Sequence, residues 1–163
     1  MITIKRISLD DPLYRQECRL REQVLLHAVG MDMESFRRDW PGLEEKFEHF
    51  VAVFDHPTGP KVIGCALLLP GYPEEGVGKL MQMAVDPQRH GEGIGRRLVV
   101  ALESRAFGEL GLRELFCHAR KDAIGFYARL GWAEEGEVFE EVGIPHRKLV
   151  LRAGAPEHED AHA

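Results

Sequence analysis

Three glycines at every second position, Gly91, Gly93 and Gly95, stand between an apolar run that ends at Asp86-Pro87 and a segment with a helical period. In that segment Ile94, Leu98, Ala101, Leu102 and Ala106 recur at spacings that put them on one face of a helix. The pattern reads as a strand, a glycine loop and a helix N-terminus in succession. Such a junction leaves backbone N–H groups without intrahelical partners and adds the positive end of the helix dipole, so it binds an anion with few side chains. Glycines also let phosphate oxygens approach the backbone closely. Arg89, His90, Arg96 and Arg97 crowd this place in a chain whose formal net charge is −6, which points to a phosphorylated ligand.

Spelling excludes two familiar phosphate loops. A Walker loop ends in Lys followed by Ser or Thr, whereas Gly95 is followed by Arg96 and Arg97. The dinucleotide fingerprint needs a third glycine where Arg96 or Leu98 stands. The run His90-Gly91-Glu92-Gly93-Ile94-Gly95 instead resembles the acyl-CoA loop of the GCN5-related N-acetyltransferase superfamily, Arg/Gln-x-x-Gly-x-Gly/Ala, with His in the first place. The flanks Met83-Ala84-Val85-Asp86-Pro87 and Arg97-Leu98-Val99 are similar to the family's strand and helix. A second segment, residues 122–132 (DAIGFYARLGW), resembles the family's A-x-x-F-Y-x-x-x-G-F/W signature, at a distance from the loop that leaves room for one helix and one strand.

The resemblance implies an N-acetyltransferase that moves the acetyl group of acetyl-CoA, as co-substrate and without a metal, to a primary amine of a small molecule or peptide by direct attack. It implies that the backbone of Met83, Ala84 and Val85 faces the acyl carbonyl. His90, Gly91, Glu92, Gly93, Ile94, Gly95 and Arg96 would hold the CoA phosphates, and Tyr127 would protonate the departing thiolate. Arg120 stands where many relatives have a CoA-contacting Asn. The general base stays open among His118, Glu140, Glu141 and His146, since Gln82 does not ionise. A non-catalytic acyl-CoA sensor of the same fold is the alternative.

The 163 residues, 44% hydrophobic and 29% charged, suit one globular domain over residues 1–152. No apolar run approaches the ~18 residues of a membrane span, and the alternating N-terminus is not followed by a signal-peptide core; a cytoplasmic protein is expected, with no membrane partner. The 21 basic against 27 acidic residues argue against nucleic acid and mildly favour a cationic substrate such as an amine. A homodimer is one assembly the sequence allows. Cys18, Cys65 and Cys117 have no Cys-x-x-Cys spacing and read as small buried hydrophobes. The tail, residues 153–163, has no large apolar residue and is expected to be disordered, with His158, Glu159, Asp160 and His162 as surface groups rather than a metal site.

In chain order, the alternation of Ile2–Ile7 predicts a strand, and Asp10-Asp11-Pro12 the start of a helix over residues 13–26, with Leu13, Cys18, Leu20, Val24 and Leu25 on one broad face. The piece Arg19 through Leu25 is similar to an arginine-containing first helix common in part of the superfamily, but by itself is only an amphipathic helix. Residues 31–46 suggest a short helix and a loop, where Met31, Met33, Phe36 and Trp40 either pack on the core or line an acceptor pocket. A hairpin over residues 49–69 and a third strand to Val85 precede the glycine loop. The following helix should end at Gly108 and Gly111. A fifth strand, a helix from Ala123 to Leu130 capped by Asp122 and ended by Gly131, and a last hairpin turning through residues 142–146 complete an α+β fold. Its sheet is mixed and mostly antiparallel, of about six to seven strands with helices on both faces, the acyl-CoA N-acyltransferase fold by resemblance.

Overall fold

The computed structural model describes residues 1–154; the expected tail signals at His158, Glu159, Asp160 and His162 lie outside these residues. Strands β1 (Ile2–Ile7), β2 (Glu48–His56), β3 (Gly59–Pro70), β4 (Val77–Val85), β5 (Glu114–Arg120), β6 (Ala133–Glu141) and β7 (Ile144–Arg152) form one seven-stranded sheet in the order β1-β2-β3-β4-β5-β7-β6. All neighbours are antiparallel except β4 and β5. Helices α1 (Tyr14–Arg21), α2 (Met33–Asp39) and α3 (Leu43–Lys46) cover one face, and α4 (Ile94–Glu103) and α5 (Ile124–Arg129) the other. Among the described residues no helix is long and apolar enough to cross a membrane.

Alternation along β3 builds both cores. Ala66 and Leu68 pack with Leu98, Leu102 and Ala106 of the α4 side, whereas Cys65 joins Leu13 and Leu20, and Leu67 and Leu69 join Met33 and Phe36. The apolar face expected of α4 is buried, with Leu98, Leu102 and Ala106 at 0% exposure. Gly64 permits the approach, since a Cβ there would lie 3.0 Å from the side chains of Ile94 and Leu98.

Several local expectations are corrected. Asp11 accepts from Leu13 N–H at 2.8 Å in a turn ahead of α1 but does not cap it, since Leu13 is the N-cap and no side chain bonds the first turn. The α1 face divides between two clusters, with Cys18 apart from Leu13 and Leu20. The chain widens into a π turn over Glu22–Leu26 beyond α1. Two short helices replace the single helix and loop expected over residues 31–46. Gly108 does not stop the helix after α4, which continues as a π turn over Ser104–Glu109 before Gly111 takes φ +66°. Asp122 is no cap, because Lys121–Ala123 form a 3-10 turn and no side chain caps α5. Gly131 ends α5 as expected: its N–H reaches Ala128 C=O at 3.0 Å and Trp132 N–H reaches Tyr127 C=O at 3.1 Å, a Schellman ending. The last turn is Val142-Gly143 alone, with Ile144 and His146 already inside β7.

The inner face of α1 carries charge that amphipathic reading does not anticipate. Arg21 is 0% exposed and forks onto Glu44 at 2.6 and 3.0 Å, while reaching Glu17 at 3.0 Å. His49 meets Glu17 at 2.9 Å through Nδ1. Glu17, Glu44 and His49 have the spacing of a metal site, but the Arg21 guanidinium already bonds both carboxylates. His49, where burial is outweighed by the bond and charge of Glu17 so that its pKa rises, adds to this. Burial opposes ionisation of Glu44, yet the bonds and charge of Arg21 outweigh it and hold the carboxyl below its ordinary range. Arg21 Nε donates to Gln82 Oε1 at 3.3 Å, tying this cluster to β4. Arg21→Met strands two buried carboxylates, so urea unfolding should show a loss of about 3–5 kcal/mol; a loss below about 1 kcal/mol would show that the cluster does not hold the fold.

Candidate active site

Strands β4 and β5 share a ladder only where Val77, Gly78 and Lys79 meet Glu114, Leu115 and Phe116. Past Lys79 the β5-facing edge of β4 has no strand partner, and a cavity of about 590 Å³ opens between the two strands. A bulge lies in this stretch: Met81 pairs with Leu67 and Ala84 with Cys65, so β4 spends an extra residue, and Gln82 takes φ +52°. The exposed edge thus includes Met83, Ala84 and Val85, the residues expected to face an acyl carbonyl.

At the end of β4, Asp86 accepts from Gln88 N–H at 2.9 Å and starts the 3-10 turn Pro87–Arg89. Gly91 and Gly93 have φ of +85° and +78°, and a Cβ on either would meet nothing within 4 Å. Gly93 is the N-cap of α4 and no side chain caps the helix, so the N–H groups of Ile94, Gly95 and Arg96 open onto bare space beside these glycines. The donor set fits a phosphate ester. Gly95 also serves packing, since a Cβ there would lie 3.4 Å from the Phe126 ring, where α5 meets α4. The basic cluster divides as well. Arg89 lies 4.1 Å over the Phe54 ring and pairs with Glu92 at 3.3 Å, and Arg97 donates to Ile2 C=O at 3.0 Å. His90 and Arg96 are exposed and make no side-chain hydrogen bond among the described residues.

Tyr127 faces the cavity from the α4–α5 side, 5% exposed, with its hydroxyl 3.9 Å from Met83 Sδ. Burial, with Cys117 beside it, pushes the phenol well above its ordinary pKa, so it remains a proton donor at neutral pH. The ring is held edge-on by Phe126 at 5.0 Å and lies 5.3 Å from Trp132.

The opposite mouth of the cavity is charged. Lys79 pairs with Leu69 and with Phe116, so these side chains share the α1–α2 face; His118, two residues on, shares it too. Arg120 pairs with His146, and His146 with Phe139, which brings Glu141 to the same face. His118 Nδ1 lies 3.0 Å from Glu141 Oε1, and His146 Nε2 lies 3.7 Å from Glu141 Oε2. His146, read from sequence as part of a turn, is 6% exposed. Glu140 is exposed on the other side of β6 and does not line the cavity. Burial lowers the pKa of Lys79, whose ammonium lies 5.9 Å from the Tyr72 ring centroid and 5.8 Å from that of Phe116. Met31, Phe36 and Trp40 form an apolar wall; Met33 is core instead, at 4% exposure.

The burial of Arg21, the bulge at Gln82 and the cavity face of Lys79 escaped the sequence reading. The arginine in the first helix was visible, but its burial depends on Glu44 and Gln82, which lie 23 and 61 residues away. No local signal marks the bulge at Gln82 or the cavity face of Lys79.

A seven-stranded mixed sheet parted at its parallel pair, with an uncapped glycine-lined helix N-terminus beside the gap, is the acyl-CoA N-acyltransferase fold. The model of the acetyltransferase (GNAT) family matches residues 13–132, and the chain belongs to that family. It is 33% identical over 152 residues to YitI of Bacillus subtilis (strain 168), described as an uncharacterized N-acetyltransferase, covering 93% of this chain and 96% of the relative. The fold is similar to Escherichia coli ElaA, with a TM-score of 0.74 at 16% identity over 93% of this chain and 100% of that one. It is also similar to a GNAT family acetyltransferase from Elizabethkingia anophelis solved with acetyl-CoA bound, with a TM-score of 0.65 at 18% identity over 93% and 97%.

The geometry of Gly93 sets a test of the loop. Gly93→Ala forces a Cβ onto a left-handed residue, which costs roughly 1–2 kcal/mol of stability, and projects a methyl into the open space above the helix N-terminus. Calorimetry should find CoA affinity reduced at least about tenfold, beyond what the small fall in Tm accounts for. Unchanged affinity in a folded variant would remove Gly93 from the binding site.

Proposed function

We propose that this protein is an acetyl-CoA-dependent enzyme that acetylates a primary amine of a small molecule or peptide by direct attack. The observation that carries the reading is Tyr127, a buried phenol beside Met83 at the point where β4 has lost its strand partner. Family membership supports the transferase class. Under this reading residues 1–152 act as a single cytoplasmic domain, without a metal and without nucleic acid.

When bound, acetyl-CoA supplies an activated thioester carbonyl. The N–H groups of Ile94, Gly95 and Arg96, with the loop glycines, orient its phosphates, and Arg96 adds charge and His90 a ring nitrogen at the rim. The free backbone edge at Met83, Ala84 and Val85 offers donors to the acyl oxygen. Orientation at such a site is itself a large part of the acceleration. Tyr127 holds its proton on the phenol oxygen and delivers it to the departing sulfur. The apolar wall of Met31, Phe36 and Trp40 excludes water from the acceptor side.

Tyr127→Phe removes only the hydroxyl, whose neighbours are the Met83 and Cys117 sulfurs, both weak partners. Free-thiol release should fall about 10²–10⁴-fold in kcat, with CoA affinity and Tm nearly unchanged, the mark of stabilisation present only in the transition state. Wild-type turnover in this variant would make Tyr127 a packing residue. CoA should also raise Tm where Mg-ATP does not, because only a native-state ligand stabilises; binding without thiol release from any amine would favour the sensor alternative.

A further inference from the structure

An acceptor nitrogen must lose a proton when it is acylated, and Tyr127, protonated and on the other face of the sheet, cannot receive it. On the α1–α2 face the cavity is lined by Lys79, Arg120, His118, Glu141 and His146. These groups are not equivalent. Lys79 and Arg120 are cations. His146 turns Nδ1 to the carbonyl of Ile144 at 2.7 Å and is nearly enclosed. Glu141 is engaged by His118 at 3.0 Å and faces His146 at 3.7 Å. For His118, the bond to Glu141 requires the ring proton on Nδ1 and leaves Nε2 with its lone pair. Nε2 has no hydrogen-bond partner among the described residues. His118 also lies two residues beyond Phe116, the last residue of β5 paired with β4, where the strands part.

We propose that His118 Nε2, held in place by Glu141, takes the proton of an acceptor amine that enters from the α1–α2 face. This rests on the acetyltransferase reading. As the acceptor nitrogen attacks, a C–N bond forms and the C–S bond breaks. The nitrogen's proton passes to His118 Nε2 on one face of the sheet, and the Tyr127 phenol proton passes to sulfur on the other. His118 then releases its proton to water and Tyr127 regains one.

The groups that face His118 agree with this role. They are Lys79 on β4, Arg120 on its own strand, Phe139 and Glu141 on β6, and His146 and Lys148 on β7. Lys148 is paired with Glu135 at 3.3 Å. Burial first, and then the charges of Lys79 and His146, lower the His118 pKa against the opposing effect of Glu141. The ring is therefore unprotonated at neutral pH and ready to accept. Phe139 packs edge-on at 4.9 Å and fixes the ring plane.

The test is acetyl transfer by the full chain to a panel of primary amines across pH, with His118→Ala, Glu141→Gln and Glu140→Gln beside the wild type. In the wild type, kcat should rise with pH through a limb below the ordinary His value of about 6.5. His118→Ala should lose that limb and about 10²–10⁴ in kcat, keep its acetyl-CoA affinity, and recover activity with added imidazole. Glu141→Gln should move the limb lower and reduce kcat less, and Glu140→Gln should change neither. NMR titration of the His118 ring should find the same depressed pKa independently of turnover. Wild-type kcat and pH profile in His118→Ala would overturn the assignment while leaving the acetyltransferase reading intact. So would a loss that imidazole cannot relieve and that comes with weakened acetyl-CoA binding. Failure of the wild type to acetylate any amine would overturn that reading, and the role of His118 with it.

Discussion

The guanidinium of Arg21 is the interaction on which the site's geometry depends. Burying a carboxylate costs several kcal/mol unless it is neutralised and hydrogen-bonded, and Arg21 meets both Glu17 and Glu44 with no exposed surface of its own. Its Nε–H goes to Gln82. That residue sits at φ +52°, a conformation that costs of order 1–3 kcal/mol and persists only when its surroundings over-determine it. Arg21 on one side, and the Cys65 thiol donating to the Gln82 carbonyl at 3.4 Å, supply that constraint. The bulge bends β4, and the ladder to β5 does not resume beyond it. A helix that would otherwise only cover the sheet thereby fixes the gap in it.

Opening the sheet from edge to edge of one strand pair gives the cavity two chemically different walls. Side chains alternate across the sheet, so Cys117 points to the Tyr127 side while Phe116 and His118 point to the other. The α4–α5 face is apolar and carries a phenol whose pKa burial has raised. The α1–α2 face carries a histidine whose pKa burial and the Lys79 charge have lowered against the pull of Glu141. Groups pushed apart in this way suit opposite proton transfers at one pH.

The fold was largely readable from sequence because its signals are local. The period of α4, the turn before β3 and the C′ glycine at Gly131 each act within a few residues, and the acyl-CoA loop and the second signature brought in the topology by resemblance. The buried cluster was hidden because an arginine on an amphipathic helix looks the same whether it meets water or two carboxylates. Capping signals erred where a 3-10 turn intervened, so Asp122 lost its helix. Loop basicity is not all free for a ligand: Arg89 and Arg97 also meet a ring and a carbonyl within the protein, and spacing alone cannot tell an internal partner from a ligand.

Which of two adjacent glutamates faces the cavity is a matter of register, and that was beyond composition or motif. In the β6–β7 hairpin the turn residues Val142 and Gly143 take φ of +48° and +73°, the left-handed pair that a two-residue turn joining twisted strands requires. Asparagine or aspartate is the usual first residue of such a turn, and a β-branched side chain is an outlier there. The strained Val142 nevertheless fixes the pairing of Glu141 with Ile144 and of Phe139 with His146. A longer loop that shifted β6 by one residue would turn Glu141 and Phe139 to the outer face and bring Glu140 inward. The Nδ1 partner of His118 would then depend on a different side chain at a different depth. The two-residue turn, disfavoured by its own sequence, is therefore what sets the tautomer of the histidine at the cavity.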